Sequence, residues 1–470
     1  MGMTRAMAVL AGTVLLFGLL RLTPVPPGLS PEAWAVAAVA AAMALLWLTE
    51  AIPLAMTSVL PFLLLPAMGV MPPAEVAGLY WSPILFLVLG GALVATAVET
   101  HGLHRRLALA IVRRAPASPR GLLAALMAAT ALMSMLVSNT ATALIMMPVA
   151  LAVVVALPVS TGGGAGLAAG TVLGIAYAAN IGGLGTIVGT PTNAISAAIV
   201  ERSLGLEVDF LTWLAFGLPL VLLAVPAICL LLIVAFRVPA DRLEPATLEG
   251  LVGDAGPLGA DERRLIPLLL LLLVGWVVLP LLLPALGLVA PDDATVAMAV
   301  ALLLFVVPSA RGGALLDWQV ARARVPWDIL LLFGGGLALA GAITDSGLAA
   351  WMGLRMQALG GLPPMLLALA VVAVLVLVTE FASNVAAASA FMPVVAAVAL
   401  ETGHAPLPLV MAAAFAATWG FMMPSGTPPN AIALATGRVS IAQMVRAGAL
   451  VNLLGIPLIV LVCFGVALLI

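Results

Sequence analysis

Charge is what this chain has least of. Of its 470 residues only 8% are Asp, Glu, Lys or Arg, 64% are hydrophobic, and the mean hydropathy is +1.27. A soluble domain carries roughly 25% charged residues, so that balance excludes one and leaves an integral membrane protein. Lysine is absent, and all 18 basic residues are arginine. The glycine runs at 162–164, 182–185 and 334–336 therefore lack the Lys-Ser/Thr that a phosphate loop needs. There is no basic tract and no nucleic-acid motif, and the net charge of −2 selects no partner. Only two cysteines occur, Cys229 and Cys463, each inside an apolar run. They read as small core residues rather than a disulfide. The three histidines, His101, His104 and His404, fall at expected helix ends. An intramembrane Ser-His hydrolase has no base to use, and no spaced His/Cys/Asp cluster offers a transition-metal site.

Apolar runs are what is abundant. Length and composition allow ten to twelve spans of about 20 residues, and helices are the expected spanning element because each satisfies its own backbone hydrogen bonds. Runs at about 6–20, 32–49 and 52–70 read as three helices forming N-terminal scaffold 1–81. The first run, after Arg5, resembles a signal peptide but is read as a retained span. Glu50, at the "TEAIP" corner, is either an acid at a surface helix end or part of the transport machinery. A fourth span at 82–101 leads into "HGLHRRLALAIVRRAP", whose one-sided charge predicts a short helix lying on the membrane. The run at about 121–157 is too polar at its centre for one plain span and is expected to be a re-entrant hairpin. At about 165–200, "NIGGLGTIVGTPTNAI" puts glycines and Thr-Pro at mid-membrane and predicts a broken helix. A span at 212–236 completes a unit covering 82–236, and the Pro/Gly-rich segment 237–264 reads as a cytoplasmic linker.

The second half, 265–470, repeats the first after spans at about 265–287 and 293–309. "SMLVSNTATALIMMP" starts at 134 and "TEFASNVAAASAFMP" at 379, an offset of 245. This carries Ser134 to Thr379, Ser138 to Ser383, Asn139 to Asn384 and Pro148 to Pro393. "GTPTNAI" at 189–195 returns as "GTPPNAI" at 426–432, an offset of 237. A second hairpin at about 362–399 and a second broken helix at about 405–437 follow from these offsets, with a last span at 446–469. Arginines cluster in three loops: 105–120, 237–264 and 311–324. Placing all three in the cytoplasm works for eleven spans with the N-terminus inside and the C-terminus outside. The fourth span then descends and its repeat, the ninth, ascends, so the two units are inverted. The expected fold is an all-α membrane protein of about 11 transmembrane helices, with two inverted repeats.

Inverted repeats put binding sites near the midplane, where broken helices meet. Exposed N–H groups at helix starts favour an anion, while unwound carbonyls with Ser, Thr and Asn oxygens suit a hard monovalent cation. Each half supplies both kinds, so the economical assignment is one cation per half with the anion between the two Ser-Asn tips. A lone Ser-Asn pair is an ordinary helix-packing hydrogen bond; two copies, each followed by a Gly-Thr-Pro-x-Asn break, argue for a site. Glu380 stands four residues before Asn384 in an apolar arm, either coupling directly or as a structural carboxylate capping neighbouring helices. Glu99, Glu201 and Asp345 are expected to be solvated near the interfaces.

These motifs, with "WLTEAIPLAMTSVLPFLLLPAMGV" at 47–70, resemble the divalent anion–sodium symporter family, also called solute carrier family 13. The resemblance covers most of the chain. It implies a homodimer in the plasma membrane whose scaffold domains hold the subunits together. A transport domain would move elevator-fashion to import di- or tricarboxylates, or sulfate, with sodium. Carried over by motif, one sodium site uses Ser134, Ser138, Asn139 and backbone at Gly189; the other uses Thr379, Ala382, Asn384 and backbone at Gly426. The anion would meet Ser138, Asn139, Thr140, Ser383 and Asn384, with Thr190, Pro191, Thr427 and Pro428 nearby. Val385 departs from the pattern, replacing a Thr that many members turn toward substrate. The sodium-site oxygens are retained, which argues against a sodium-independent exchanger, and a passive channel would need no paired cation sites.

Overall fold

Proline decides where many of the helices begin. Pro31, Pro83, Pro119, Pro191, Pro364, Pro406 and Pro428 each occupy a first helical position. The missing N–H there is one the helix would leave unbonded anyway. Small polar caps serve other starts: Asp209 accepts from the Thr212 N–H at 2.7 Å, and Asp292 from the Thr295 N–H at 2.6 Å. The computed structural model describes residues 3–116, 118–156, 164–240, 256–355, 362–401 and 405–469. Among these the regular structure is helical, apart from one isolated bridge between Pro308 and Ala314.

After the helices Met3–Leu22 and Pro31–Thr49, two series follow in the same order. The first runs Pro83–His101, Leu103–Val112, Pro119–Ser134, Asn139–Ala156, Gly164–Gly183, Pro191–Leu204 and Phe210–Ala235. The second runs Trp327–Asp345, Leu348–Arg355, Pro364–Thr379, Asn384–Glu401, Pro406–Ala416, Pro428–Ala435 and Ile441–Ala467. The segments at 135–138 and 380–383 are the turns between paired helices, and those at 184–190 and 417–427 are the two helix breaks.

Two readings need correction. The run at 52–70 is not one helix but Leu54–Thr57 and Leu60–Ala67. Pro61 has no N–H to offer the Thr57 carbonyl, and the Ser58 hydroxyl turns back to donate to Leu54 O at 2.9 Å. The linker also ends earlier than expected. Helix Ala260–Ala285 starts inside 237–264, where the Glu262 carboxylate accepts from the Gly259 N–H at 2.6 Å. Residues 241–255 of the linker, and His404, lie outside the described residues.

Burial sorts the helices. Across Gly166–Gly183, 94% of residues are buried, against 39% in the best windows of Phe210–Ala235 and Ile441–Ala467 and 28% in Ala260–Ala285. The poorly buried helices show leucines such as Leu222, Leu223, Leu270 and Leu281 outward, as a lipid-facing surface requires. The broken helices are the wrapped interior, the one place where unwound backbone is tolerated at depth. Glycine brings the wrapping close at two matching points. A Cβ on Gly217 would overlap the Leu184 carbonyl oxygen, and one on Gly448 the Phe421 carbonyl oxygen. Each is a long-helix residue lying directly on a break.

Candidate binding site

Each turn between paired helices is closed by the same three oxygens. In the first, Ser134 Oγ lies 2.8 Å from Asn139 Oδ1 and 2.6 Å from the carbonyl oxygen of Ala179. In the second, Thr379 Oγ1 lies 2.7 Å from Asn384 Oδ1 and 2.8 Å from the carbonyl oxygen of Ala417. One hydroxyl hydrogen serves one acceptor at a time, so each cluster holds one more acceptor oxygen than its hydroxyl can satisfy. Ser134 and Thr379 are fully buried, and neutral oxygens in such a place suit a hard monovalent cation. Ala382 is buried beside the second cluster. Gly426 lies against the carbonyls of Thr379 and Glu380, and Gly189 against Gly183, which itself abuts Asn139.

The breaks are stapled alike. Asn193 Nδ2 donates to Gly183 O at 2.7 Å and Thr186 O at 2.8 Å. Asn430 Nδ2 donates to Gly420 O at 3.2 Å and Met423 O at 3.1 Å. In each Gly-Thr-Pro-x-Asn motif, then, the proline restarts the helix and the asparagine satisfies carbonyls that unwinding would orphan. The glycine is needed for close approach at Gly189, where a Cβ would overlap the Gly183 carbonyl oxygen, whereas Gly426 has room for one. Ser138 Oγ and Ser383 Oγ accept from Ala141 N–H and Ala386 N–H, each at 3.3 Å, capping the helices that leave the tips.

The two tips and the two breaks border one cavity of about 800 Å3, within the range of small-molecule sites. Its wall includes every residue expected to meet the anion: Ser138, Asn139, Thr140, Thr190 and Pro191 from the first half, and Ser383, Asn384, Val385, Thr427 and Pro428 from the second. Gly189 and Gly426 line it too, while Ser134, Thr379 and Ala382 stand behind the tips. The starts of four helices, at Asn139, Pro191, Asn384 and Pro428, border the space. Their positive ends favour a negative ligand.

A family profile, the sodium:sulfate symporter transmembrane region, matches residues 4–470. The chain belongs to that family. It is the family described by the motifs as solute carrier family 13, a family of transporters and not of enzymes. Relatives include a protein of Staphylococcus saprophyticus named sodium-dependent dicarboxylate transporter SdcS. It is 37% identical over 467 residues, covering 96% of this chain and 89% of that protein. The protein of the same name from Staphylococcus aureus is 36% identical over 433 residues, covering 89% and 83%. Among solved structures, the Alcanivorax borkumensis YdaH transporter aligns with a TM-score of 0.53 at 18% identity, over 83% of this chain and 88% of that one. Neisseria gonorrhoeae MtrF aligns with a TM-score of 0.56 at 13% identity, over 81% and 80%. At such identities these two speak for the fold alone.

Within this symporter-family site, several groups are not evident from the sequence motifs as first read. The Ala179 and Ala417 carbonyls complete the oxygen clusters, and any residue type supplies a carbonyl, so no sequence signal exists. Asn193 and Asn430 sit inside the quoted motif, and their spacing after Gly-Thr-Pro was the available signal. Asn180 Nδ2 donates to Thr427 Oγ1 at 2.9 Å, crossing between the two halves. Glu380 is buried, accepting from the N–H groups of Phe421, Met422 and Met423 at 2.8–3.0 Å and from Asn452 Nδ2 at 2.6 Å. Of the two roles left open for it, the structure supports the structural one: a carboxylate capping a break. Glu201 and Asp345 are exposed as expected, whereas Glu99 is half-buried in the cavity wall.

Proposed function

We propose that the chain is a sodium-coupled symporter importing divalent anions, most simply C4-dicarboxylates such as succinate. One observation carries the reading: two tips and two breaks, one of each from either half, converge on a single cavity with a matched oxygen cluster behind each tip. The names of the relatives add sodium and dicarboxylate to that geometry.

In this reading one sodium ion binds at Ser134, Ser138, Asn139, Ala179 and Gly189, and a second at Thr379, Ala382, Asn384, Ala417 and Gly426. Each ion would draw a tip and its break together, because both contribute oxygens to it. That fixes the amides of Asn139 and Asn384 for the substrate. Two cations also offset the two charges of the anion before it leaves water, which is the physical basis of coupling at a buried site. The units at 82–236 and 265–470 act as inverted repeats in a homodimer. The tips and breaks travel together, elevator-fashion, against a scaffold that includes 1–81. Under the arginine rule the N-terminus is cytoplasmic. The ends bearing Glu50, Glu99 and Arg324 then face the cytoplasm of a plasma-membrane protein, and the cavity they line is inward-open.

Purified protein in liposomes tests the reading by uptake of labelled succinate under an inward sodium gradient. Accumulation that collapses when the gradient is dissipated is the expected result; uptake indifferent to sodium would overturn symport. The family description also names sulfate, and Val385 lines the cavity where the first tip offers Thr140. Competition by sulfate against labelled succinate separates the two cargoes. Efficient inhibition by succinate with none by sulfate supports the dicarboxylate.

A further inference from the structure

The cavity is much longer than the tips require. Along helix Pro83–His101 its wall runs through Val88, Gly91, Ala92, Ala95, Thr96 and Glu99, one face of the helix. From Gly91, which packs on Val188 of the first break, to Glu99 is about 12 Å at 1.5 Å per residue. Glycine and alanine leave this corridor smooth and uncharged. The charged residues of the described lining are Glu50, Glu99 and Arg324. Glu99 and Arg324 meet at the far end of this face, and the topology proposed above puts Glu50 on the same side. Glu50 ends helix Pro31–Thr49 with a left-handed backbone, φ 48°. Arg324 ends the short helix Trp318–Arg324, just ahead of Pro326 and Ile329 in the wall.

Among the described residues, Arg324 is the one cation lining the cavity, and it is weakly engaged. Its Nη1 lies 3.6 Å from Glu99 Oε2, beyond hydrogen-bond length, and its side chain is 48% exposed. Elsewhere the same kind of pair closes properly, as Arg202 does on Asp345 at 2.7 Å. An arginine has five N–H donors in a planar fork matched to a carboxylate. Here that fork belongs to a residue lining the corridor a dianion would use, with its contact to Glu99 left long.

We propose that Arg324 is an anion-receiving subsite at the cavity mouth, and that Glu99 is the resident carboxylate a substrate carboxylate displaces. Glu99 keeps Arg324 partly neutralised when the corridor is empty. An arriving or departing dicarboxylate exchanges with it, pausing between the tips and open water. Glu50 adds a second negative charge at the same mouth, which shortens the pause and speeds release. Because Arg324 is exposed, salt screens its effect.

The signs of two substitutions decide the matter, and the proposal rests on the anion-symport reading. In liposomes carrying protein of known orientation, the half-saturation for succinate is measured separately from each face. Arg324→Gln raises it about threefold to fivefold from the Glu99 face, the scale of one exposed ion contact, and leaves the opposite face unchanged. Glu99→Gln lowers it from that face, because the competing carboxylate is gone, and Arg324→Lys restores part of the Gln loss. Higher ionic strength narrows all three differences. A merely structural ion pair predicts the reverse pattern: Arg324→Gln and Glu99→Gln act in the same direction, and on both faces. That result overturns the subsite. Wild-type protein showing no sodium-driven uptake would overturn symport itself, a distinguishable failure.

Discussion

The two breaks share a motif and a staple, yet they are held open by different means. The first is braced by hydrogen bonds from its own half. Its N–H groups stay in tight turns, Leu184 to Ile181 O at 3.0 Å and Gly185 to Gly182 O at 2.9 Å. The Thr186 hydroxyl donates to Met135 O, and Trp213 Nε1 to Leu184 O at 2.9 Å. The second break unwinds further, and its N–H groups leave the turn for the Glu380 carboxylate. The offset of 245 puts Glu380 where the first half has Met135. Tyr177 adds an outside brace, its hydroxyl donating to Phe421 O at 3.1 Å and its ring packing edge-on against Phe421 at 5.0 Å. Tyr177 and Asn180 both belong to the first broken helix, so the second break depends on the first half and the first does not depend on the second in the same way. Sequence symmetry thus fixes the shape of a break without fixing what supports it.

The largest expected effect tests what the halves have in common. Replacing both Asn139 and Asn384 with Ala should abolish sodium-driven succinate uptake while the detergent-solubilised protein still elutes as a single folded species. Normal uptake by that double variant would reduce the tips to packing. The next tests what separates them. Glu380→Ala strands the buried Phe421 N–H and Asn452 amide and the half-buried N–H groups of Met422 and Met423, and unsatisfied buried donors cost roughly 1–3 kcal/mol each. A loss of at least about 3 kcal/mol, read as a large fall in thermal unfolding temperature, should contrast with a modest fall for Met135→Ala. Equal falls would mean the two breaks are supported alike. Smaller again are Gly217→Ala and Gly448→Ala, where a new methyl meets a break carbonyl. Overpacking of this kind costs typically about 1–3 kcal/mol, and unfolding scans of the two variants should fall together.

Legibility in the sequence followed the chemistry. The tips were readable because Ser-Asn inside hydrocarbon has no bland use repeated twice, and their hydroxyl partners Ser134 and Thr379 came with the same offset. The breaks were readable from Gly-Thr-Pro. Helix limits came out within a few residues wherever proline or an acidic cap marks the start, and failed at 52–70, where Pro61 and Ser58 split an apolar run that hydropathy alone reads as continuous. What stayed hidden was supplied by groups without side-chain identity, such as the Ala179 and Ala417 carbonyls, or by partners distant in the chain. Nothing local to Asn180 announces Thr427, and nothing local to Glu99 announces Arg324. Glu380 lay between: its presence in an apolar arm demanded an explanation, but the N–H groups that explain it are some 40 residues away.

The smallest effect bears on the cavity rather than the breaks. Thr140 and Val385 occupy matching places at the two tips, and both line the cavity half-buried. A hydroxyl there has one hydrogen to give a substrate oxygen and valine has none, although the two side chains have nearly the same shape. A single net hydrogen bond is worth about 1 kcal/mol, or roughly a fivefold change in half-saturation. Thr140→Val should therefore weaken succinate by about that factor, and Val385→Thr should strengthen it or shift preference toward anions with an additional acceptor oxygen. Neither should alter the sodium dependence, because the oxygen clusters behind the tips are untouched. If Thr140→Val changes nothing while Val385→Thr does, the anion leans on the second tip alone, and the symmetry of the pocket is one of backbone rather than of ligand contacts.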